Sequence, residues 1–173
     1  HRYLHGPAVD QILADERVTS PATPGNVLWP LPDNLGTIRD LADFHETTSL
    51  TQVANHLTYD TFGRLTAETN AAVDHLFAYT GRERDEESNL FYYRARYYDP
   101  AVGRFVSQDP IDFDAGDANL YRYVANGPIS TVDAKGLWGE DVHRDLTRDW
   151  ARLVSGYSWQ SATAIGVADL AVD

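Results

Sequence analysis

Short apolar stretches separated by tight-turn signals run through residues 1–137 of this 173-residue chain. Three of these signals share one form, with Asp at the start of a turn and Gly at its end: Asp33 to Gly36, Asp60 to Gly63 and, with one extra residue, Asp99 to Gly103. The Asp side chain can accept hydrogen bonds from turn N–H groups, and Gly tolerates a positive φ as the chain enters the next strand. Three related hairpin turns predict a repeating antiparallel sheet.

A second strand signal lies between Asn89 and Tyr98, where side chains alternate with a period of two. One predicted face is smaller and more apolar, and the other combines tyrosine with arginine: Phe91, Tyr93, Ala95 and Tyr97 against Tyr92, Arg94, Arg96 and Tyr98. On this pattern we expect the arginines to pair with Asp and Glu across strands. The segment from Asp40 to Leu57 fits either a helical turn or a strand.

The pattern changes after Leu137. Apolar residues recur at helical spacing between Val142 and Tyr157, with Asp and Arg between them, which predicts an amphipathic helix ending near Gly156. Residues 138–173 are too few to bury a core of their own. The fold class predicted is therefore mainly β, an antiparallel hairpin-repeat sheet followed by a short α-helical tail. The predicted limits are 1–70 for the first hairpins, 71–137 for the following domain and 138–173 for the extension.

The composition argues against several classes of function. The formal net charge is −12, which argues against nucleic-acid binding through residues 1–137, because such binding depends on Lys and Arg at phosphates. No apolar run reaches the roughly 18 residues that cross a bilayer, so no membrane span is expected. The chain has no Cys, its His residues are scattered, and the acidic loop at Asp112 to Asp117 lacks the Gly and Glu of an EF-hand. No cofactor and no metal site is therefore predicted.

Two stretches carry a resemblance to a known family. Tyr59 to Thr66 (YDTFGRLT) resembles a YD repeat, and Tyr92 to Ile111 (YYRARYYDPAVGRFVSQDPI) closely resembles the RHS repeat-associated core. The resemblance continues to Asp133 and Gly136-Leu137 and covers about residues 2–137. It implies the structural shell and plug of an RHS/YD-repeat protein, which encloses or presents a variable, toxin-like C-terminal region. It also implies a secreted or cell-surface location.

The resemblance further implies self-cleavage by paired aspartates. Asp109 and Asp133 are the catalytic candidates, and the peptide between Leu137 and Trp138 is the candidate scissile bond. Two adjacent carboxyls share one proton, so the ionised one can activate water while the neutral one polarises the peptide carbonyl. The enzyme expected is at most an intramolecular aspartyl autoprotease. Its partners would be the rest of its own polypeptide or shell, with a secretion apparatus or an immunity protein in the parent system.

The sequence departs from the family pattern at two positions near these aspartates. Asp112 occupies a position that is usually Gly, and Ala134 occupies one that is usually Pro. Ala134 does not preset the backbone as Pro would, and Asp112 is expected to add negative charge near the pair. The alternatives left open are that Asp109 and Asp133 only stabilise turns, and that the chain is a non-cleaving structural or cell-surface adhesion module that contacts carbohydrate.

Overall fold

A six-stranded antiparallel sheet is the main element of the N-terminal part of the chain. The computed structural model describes residues 1–137 except 9, 19, 21 and 46, so Trp138 and the predicted helical tail lie outside the described residues. The strands follow one another in sequence order: β1 Arg2–His5, β2 Ile12–Arg17, β3 Asn26–Pro32, β4 Ile38–His45, β5 Leu50–Tyr59 and β6 Leu65–Glu68. All neighbouring pairs are antiparallel. The ambiguous segment from Asp40 to Leu57 therefore contributes to two strands, β4 and β5.

The turns predicted from the Asp and Gly spacing connect these strands. Asp33 starts the turn between β3 and β4, and Asp60 starts the turn between β5 and β6. Leu28, Ile38 and Leu41 are each at most 2% exposed and form the apolar side of the sheet. Burial of such side chains stabilises the sheet by roughly 1.5–3 kcal/mol each.

The described part of the chain divides into two units, one of residues 1–92 with 100–102 and the other of residues 93–99 with 103–137. The first unit also contains a 3-10 turn at Tyr79–Gly81 and a short hairpin of β7 Glu83–Arg84 with β8 Phe91–Tyr92. The domain limits predicted at residues 70 and 137 stay predictions. In the described part of the chain, no helix has the length and apolar character needed to cross a membrane.

The second unit is built around a hairpin and a buried aromatic cluster. Strand β9 Tyr97–Asp99 pairs with β10 Arg104–Phe105, and 3-10 turns follow at Asp112–Ala115 and Val124–Asn126. Four rings that are at most 1% exposed make up the cluster: Tyr93, Tyr98, Phe105 and Tyr123. Most of the ring pairs are T-shaped, and the Tyr93 and Tyr123 hydroxyls lie 3.0 Å apart within hydrogen-bonding distance.

The strand predicted from Asn89 to Tyr98 is wrong as a continuous element. Strand β8 ends at Tyr92 and β9 begins at Tyr97, because Arg94 adopts φ 64°, outside the β region. This break shifts the alternation, so that Arg96 and Tyr98 are buried while Tyr97 is exposed. Arg96, which the alternation placed on the face that combines tyrosine with arginine, therefore lies in the interior of the second unit.

Candidate functional site

Asp133 organises a tight turn that carries the last described residues. Its Oδ1 accepts hydrogen bonds from the backbone N–H groups of Lys135, Gly136 and Leu137, at 3.2, 2.8 and 3.1 Å. The side chain is fully buried. Three N–H donors on one oxygen satisfy a buried carboxylate and hold the backbone of residues 135–137 in one conformation.

The same device forms the hairpin turns of the first unit. Oδ1 of Asp33 accepts from the N–H groups of Leu35 and Thr37, and its Oδ2 accepts from Arg39 at 3.0 Å. Oδ1 of Asp60 accepts from Phe62 and Arg64, and Arg64 also reaches Oδ2. Asp133 is therefore an Asp-x-x-Gly turn of the repeat type, and this explains how the turn forms with Ala134 instead of proline.

Gly136 allows this turn to lie close against neighbouring backbone. It has φ +68°, and a Cβ atom at this position would lie 2.4 Å from the carbonyl oxygen of Tyr93. Arg94 adds a second link, because its Nη1 donates to the Ala134 carbonyl. The backbone that leads to Leu137 is thus fixed by side-chain and main-chain contacts on both sides.

Asp109 reaches the site from the loop after β10. Its N–H donates to the Leu120 carbonyl at 2.9 Å, and its Oδ1 accepts from the N–H of Ile111 at 3.1 Å. The residue is 7% exposed. Its carboxyl is therefore a buried turn acceptor with its second oxygen, Oδ2, directed to another partner.

Arg96 is the group that brings the two aspartates together. Its Nη2 lies 2.9 Å from Oδ2 of Asp109 and 3.5 Å from Oδ2 of Asp133, and the residue is 2% exposed. Its Nε donates to the Gly136 carbonyl at 2.6 Å and its Nη1 to the Leu120 carbonyl at 3.1 Å. The guanidinium carbon also lies 3.6 Å from the centre of the Phe105 ring.

Burial and neighbouring charges shift the pKa values of Asp109 and Arg96. Burial raises the pKa of Asp109, and the charge of Asp133 acts in the same direction, whereas the Ile111 N–H and Arg96 lower it. Burial lowers the pKa of Arg96, and both aspartates raise it. Arginine stays protonated in proteins, so one cation faces two carboxyls. Burial therefore favours the protonated form of Asp109.

The two predicted aspartates are therefore joined through a guanidinium nitrogen, and the turn of Asp133 carries Leu137. Asp112, which was expected to add charge, has an exposed side chain at the start of a 3-10 turn. The sequence predicted that Arg96 pairs with an Asp or Glu across strands, but not that it links Asp109 to Asp133. Two buried carboxylates require a nearby cation, and this requirement alone does not say which arginine supplies it.

Three similar proteins each match just under half of the chain. YibJ of Escherichia coli (strain K12) is 44% identical over 80 residues, covering 46% of this chain and 34% of that protein. The tRNA nuclease WapA of Bacillus subtilis (strain 168) is 40% identical over 85 residues, covering 46% of this chain and 4% of WapA. RhsA of Dickeya dadantii (strain 3937) is 47% identical over 76 residues, covering 44% of this chain and 5% of RhsA. The chain thus spans about a third of the length of YibJ and 5% or less of the other two.

Solved structures of Tc toxins resemble the fold. The TcdB2-TccC3-TEV crystal structure gives a TM-score of 0.57 at 26% identity, covering 69% of this chain and 6% of that one. The Photorhabdus luminescens Tc holotoxin pore with an aspartate-to-alanine mutation in TccC3 gives a TM-score of 0.62 at 25% identity, covering 79% of this chain and 6% of that chain. No family model matches the chain. The Rhs and WapA relatives and the TccC3 structures support the likeness to RHS-associated proteins, and the fold is mainly antiparallel β.

Proposed function

We propose that this RHS-associated chain is a shell and plug module of a longer polypeptide, and that Asp109 and Asp133 cut it between Leu137 and Trp138. The module would enclose or present a variable C-terminal region with toxin-like activity. Its partners would be the remainder of its own shell, together with a secretion apparatus or an immunity protein. Relatives that are named nucleases or belong to toxin complexes support this assignment. They also support a secreted or cell-surface location.

One observation carries the cleavage proposal. The turn that leads to Leu137 is held by Asp133 Oδ1, and the Gly136 carbonyl accepts from Arg96, which also contacts Asp109. Two carboxyls and a cation therefore surround the backbone one residue before the proposed cleavage position. A substrate that is fixed within its own chain reacts without the entropic cost of binding.

The proposed chemistry uses Asp109, whose pKa is raised by burial, as the acid. Asp133 acts as the base and takes a proton from a water molecule, whose oxygen attacks the carbonyl carbon of Leu137. Protonated Asp109 donates to the carbonyl oxygen as the tetrahedral intermediate forms. Collapse breaks the bond to the nitrogen of Trp138, which receives the proton held by Asp133, and the hydroxyl proton of the intermediate returns to Asp109. One water is consumed, its hydroxyl remaining on Leu137 and its hydrogen on the released amine. Arg96 holds both carboxyls and the Gly136 carbonyl in position.

The test is the mass of the chain after expression. We expect wild-type protein to accumulate a fragment ending at Leu137, and Asp109→Asn to stay intact. Asp114→Asn is the matched control, because Asp114 lies in the same segment with an exposed side chain. Circular dichroism establishes that the Asp109→Asn variant is folded. The cleavage proposal is wrong if folded wild-type chain stays intact at full length.

A second candidate is a structural module that cuts nothing, including one used in adhesion to carbohydrate. It is favoured by the similarity of the Asp133 turn to the hairpin turns of Asp33 and Asp60, which need no catalytic explanation. The same mass measurement separates the two. Intact wild-type chain, together with loss of stability in Asp133→Asn, would support the structural role alone.

A further inference from the structure

A cavity of about 280 Å³ lies in the first unit, away from the aspartate cluster. Its apolar wall includes Leu57, Tyr59 and Phe77, and His75 is among its lining residues. Sites for drug-sized ligands have volumes of roughly 300–1,000 Å³. This cavity therefore suits a group about as large as one long side chain.

The imidazole of His75 is buried and only half satisfied. Its side chain is 1% exposed, and Nδ1 lies 3.2 Å from Oδ2 of Asp15, which is itself fully buried. Nε2 is also buried and has no hydrogen-bond partner among the described residues. A buried polar atom left without a partner costs about 1–3 kcal/mol, so such an atom beside a cavity indicates that something else satisfies it.

The protonation state of this ring decides what the cavity can bind. Burial lowers the pKa of His75, which keeps the imidazole neutral at neutral pH. Because Nδ1 faces a carboxylate, Nδ1 carries the proton and Nε2 presents a lone pair. The unpaired atom is therefore an acceptor, and its partner must be an N–H or O–H donor.

The charges around the cavity select among donors. Glu68, Asp74 and Glu86 line it together with Arg84, and the guanidinium of Arg17 reaches Asp74 from outside the lining, so three carboxylates face two guanidinium groups. Asp74 pairs with Arg17 at 2.6 Å and Glu68 accepts from Asn55 at 3.0 Å, so both keep lone pairs for a further donor. An excess of carboxylates beside the Tyr59 and Phe77 rings favours a cation over a neutral or anionic group.

We infer that this cavity binds an alkyl cation that carries N–H donors, a guanidinium or primary ammonium on an apolar stem, with His75 Nε2 as one acceptor. The cation comes either from a free small molecule or from an Arg or Lys side chain of a polypeptide. The inference does not depend on self-cleavage, because none of its residues belongs to the aspartate cluster.

The test titrates the full chain with butylguanidinium and follows the ¹⁵N resonances of the His75 imidazole. We expect saturable binding, with a shift at Nε2 caused by the new hydrogen bond and with the proton still on Nδ1. N-butylurea has a similar shape but no charge, and we expect it to bind at least about tenfold more weakly. A blocked Gly-Arg-Gly peptide identifies the source, since binding of the peptide indicates a polypeptide partner and its failure beside butylguanidinium indicates a small molecule.

Glu86→Gln and Glu87→Gln form a matched pair of variants. Both positions are exposed neighbours in one loop, but only Glu86 lines the cavity. We expect Glu86→Gln to weaken butylguanidinium binding about two- to fivefold and Glu87→Gln to leave it unchanged. The inference is overturned if butylguanidinium does not saturate, if butylurea binds equally well, or if the His75 Nε2 resonance does not move.

Discussion

The Nε–H group of Arg96 donates to the Gly136 carbonyl at 2.6 Å. The other side of the same guanidinium contacts Asp109 and Asp133. One buried side chain therefore joins the two carboxyls to the backbone that leads to Leu137. The contacts of Arg96 neutralise the buried carboxylates. The same contacts hold the backbone next to the proposed cleavage position.

Replacement of Arg96 by Gln should destabilise the second unit strongly. Two buried carboxyls would lose their common cation, and removal of one partner from a buried ion pair costs about 3–5 kcal/mol. Urea denaturation of the full chain measures the loss. Arg104→Gln is the control, because Arg104 lies on β10 with an exposed side chain and should change stability by less than about 1 kcal/mol.

A double variant separates the charge from the packing of Arg96. Adding Asp109→Asn to Arg96→Gln removes one of the stranded carboxylates, so the combined loss should be smaller than the sum of the two single losses. Strict additivity of the two substitutions would contradict the ion-pair account and leave the hydrogen bonds of Arg96 to the Gly136 and Leu120 carbonyls and its contact with Phe105.

Gly136→Ala should disrupt the turn that carries Leu137. The residue has φ +68°, which costs a residue with a Cβ atom roughly 1–2 kcal/mol, and the new Cβ would lie 2.4 Å from a backbone oxygen that cannot move aside easily. Gly116→Ala is the matched control. Gly116 has φ +75° with nothing within 4 Å of the added Cβ, so it should show the conformational cost alone. Equal melting temperatures for the two variants would refute the proposed close contact at Gly136.

The hairpin turns could be predicted because their cause is local. Asp33 and Asp60 bond to N–H groups two and four residues onward, and these contacts are determined by the short sequence itself. The Asp133 turn follows the same rule, although its arginine is not local. The order of the strands in the sheet could also be predicted, since consecutive hairpins form a sheet in sequence order.

The interior position of Arg96 could not be predicted from alternation. Arg94 adopts φ 64°, and this one residue breaks the strand and exchanges the two faces after it. That conformation is uncommon for arginine and depends on non-local contacts, among them the bond from Arg94 to the Ala134 carbonyl. The pair of aspartates was found by resemblance, and the cation between them required coordinates.

Self-cleavage should slow as the pH rises, if Asp109 is the protonated carboxyl. Burial raises the pKa of Asp109, so the proton needed at the Leu137 carbonyl is retained to a higher pH than in an ordinary aspartate and is then lost. The rate constant for appearance of the fragment ending at Leu137, measured across pH 4–8 at constant ionic strength, tests this. A rate that increases steadily with pH would assign the acid to another group.

Acidification should weaken the first unit through His75. Burial lowers the pKa of His75 below the 6.5 of an unfolded chain, so near pH 6 the unfolded state binds more protons than the folded state. Stability contributed by this group is full above pH 6.5 and falls as the pH drops toward the folded pKa, by at most about 1.4 kcal/mol per pH unit. Unfolding by urea at pH 7.5 and 5.5, followed by the resonances of β1–β6, gives the difference in the free energy of unfolding between the two pH values.

His75→Gln should reduce this pH difference. His56→Gln, at a half-exposed side chain on β5, should retain it. An unchanged pH difference in His75→Gln would show that the acid sensitivity arises elsewhere.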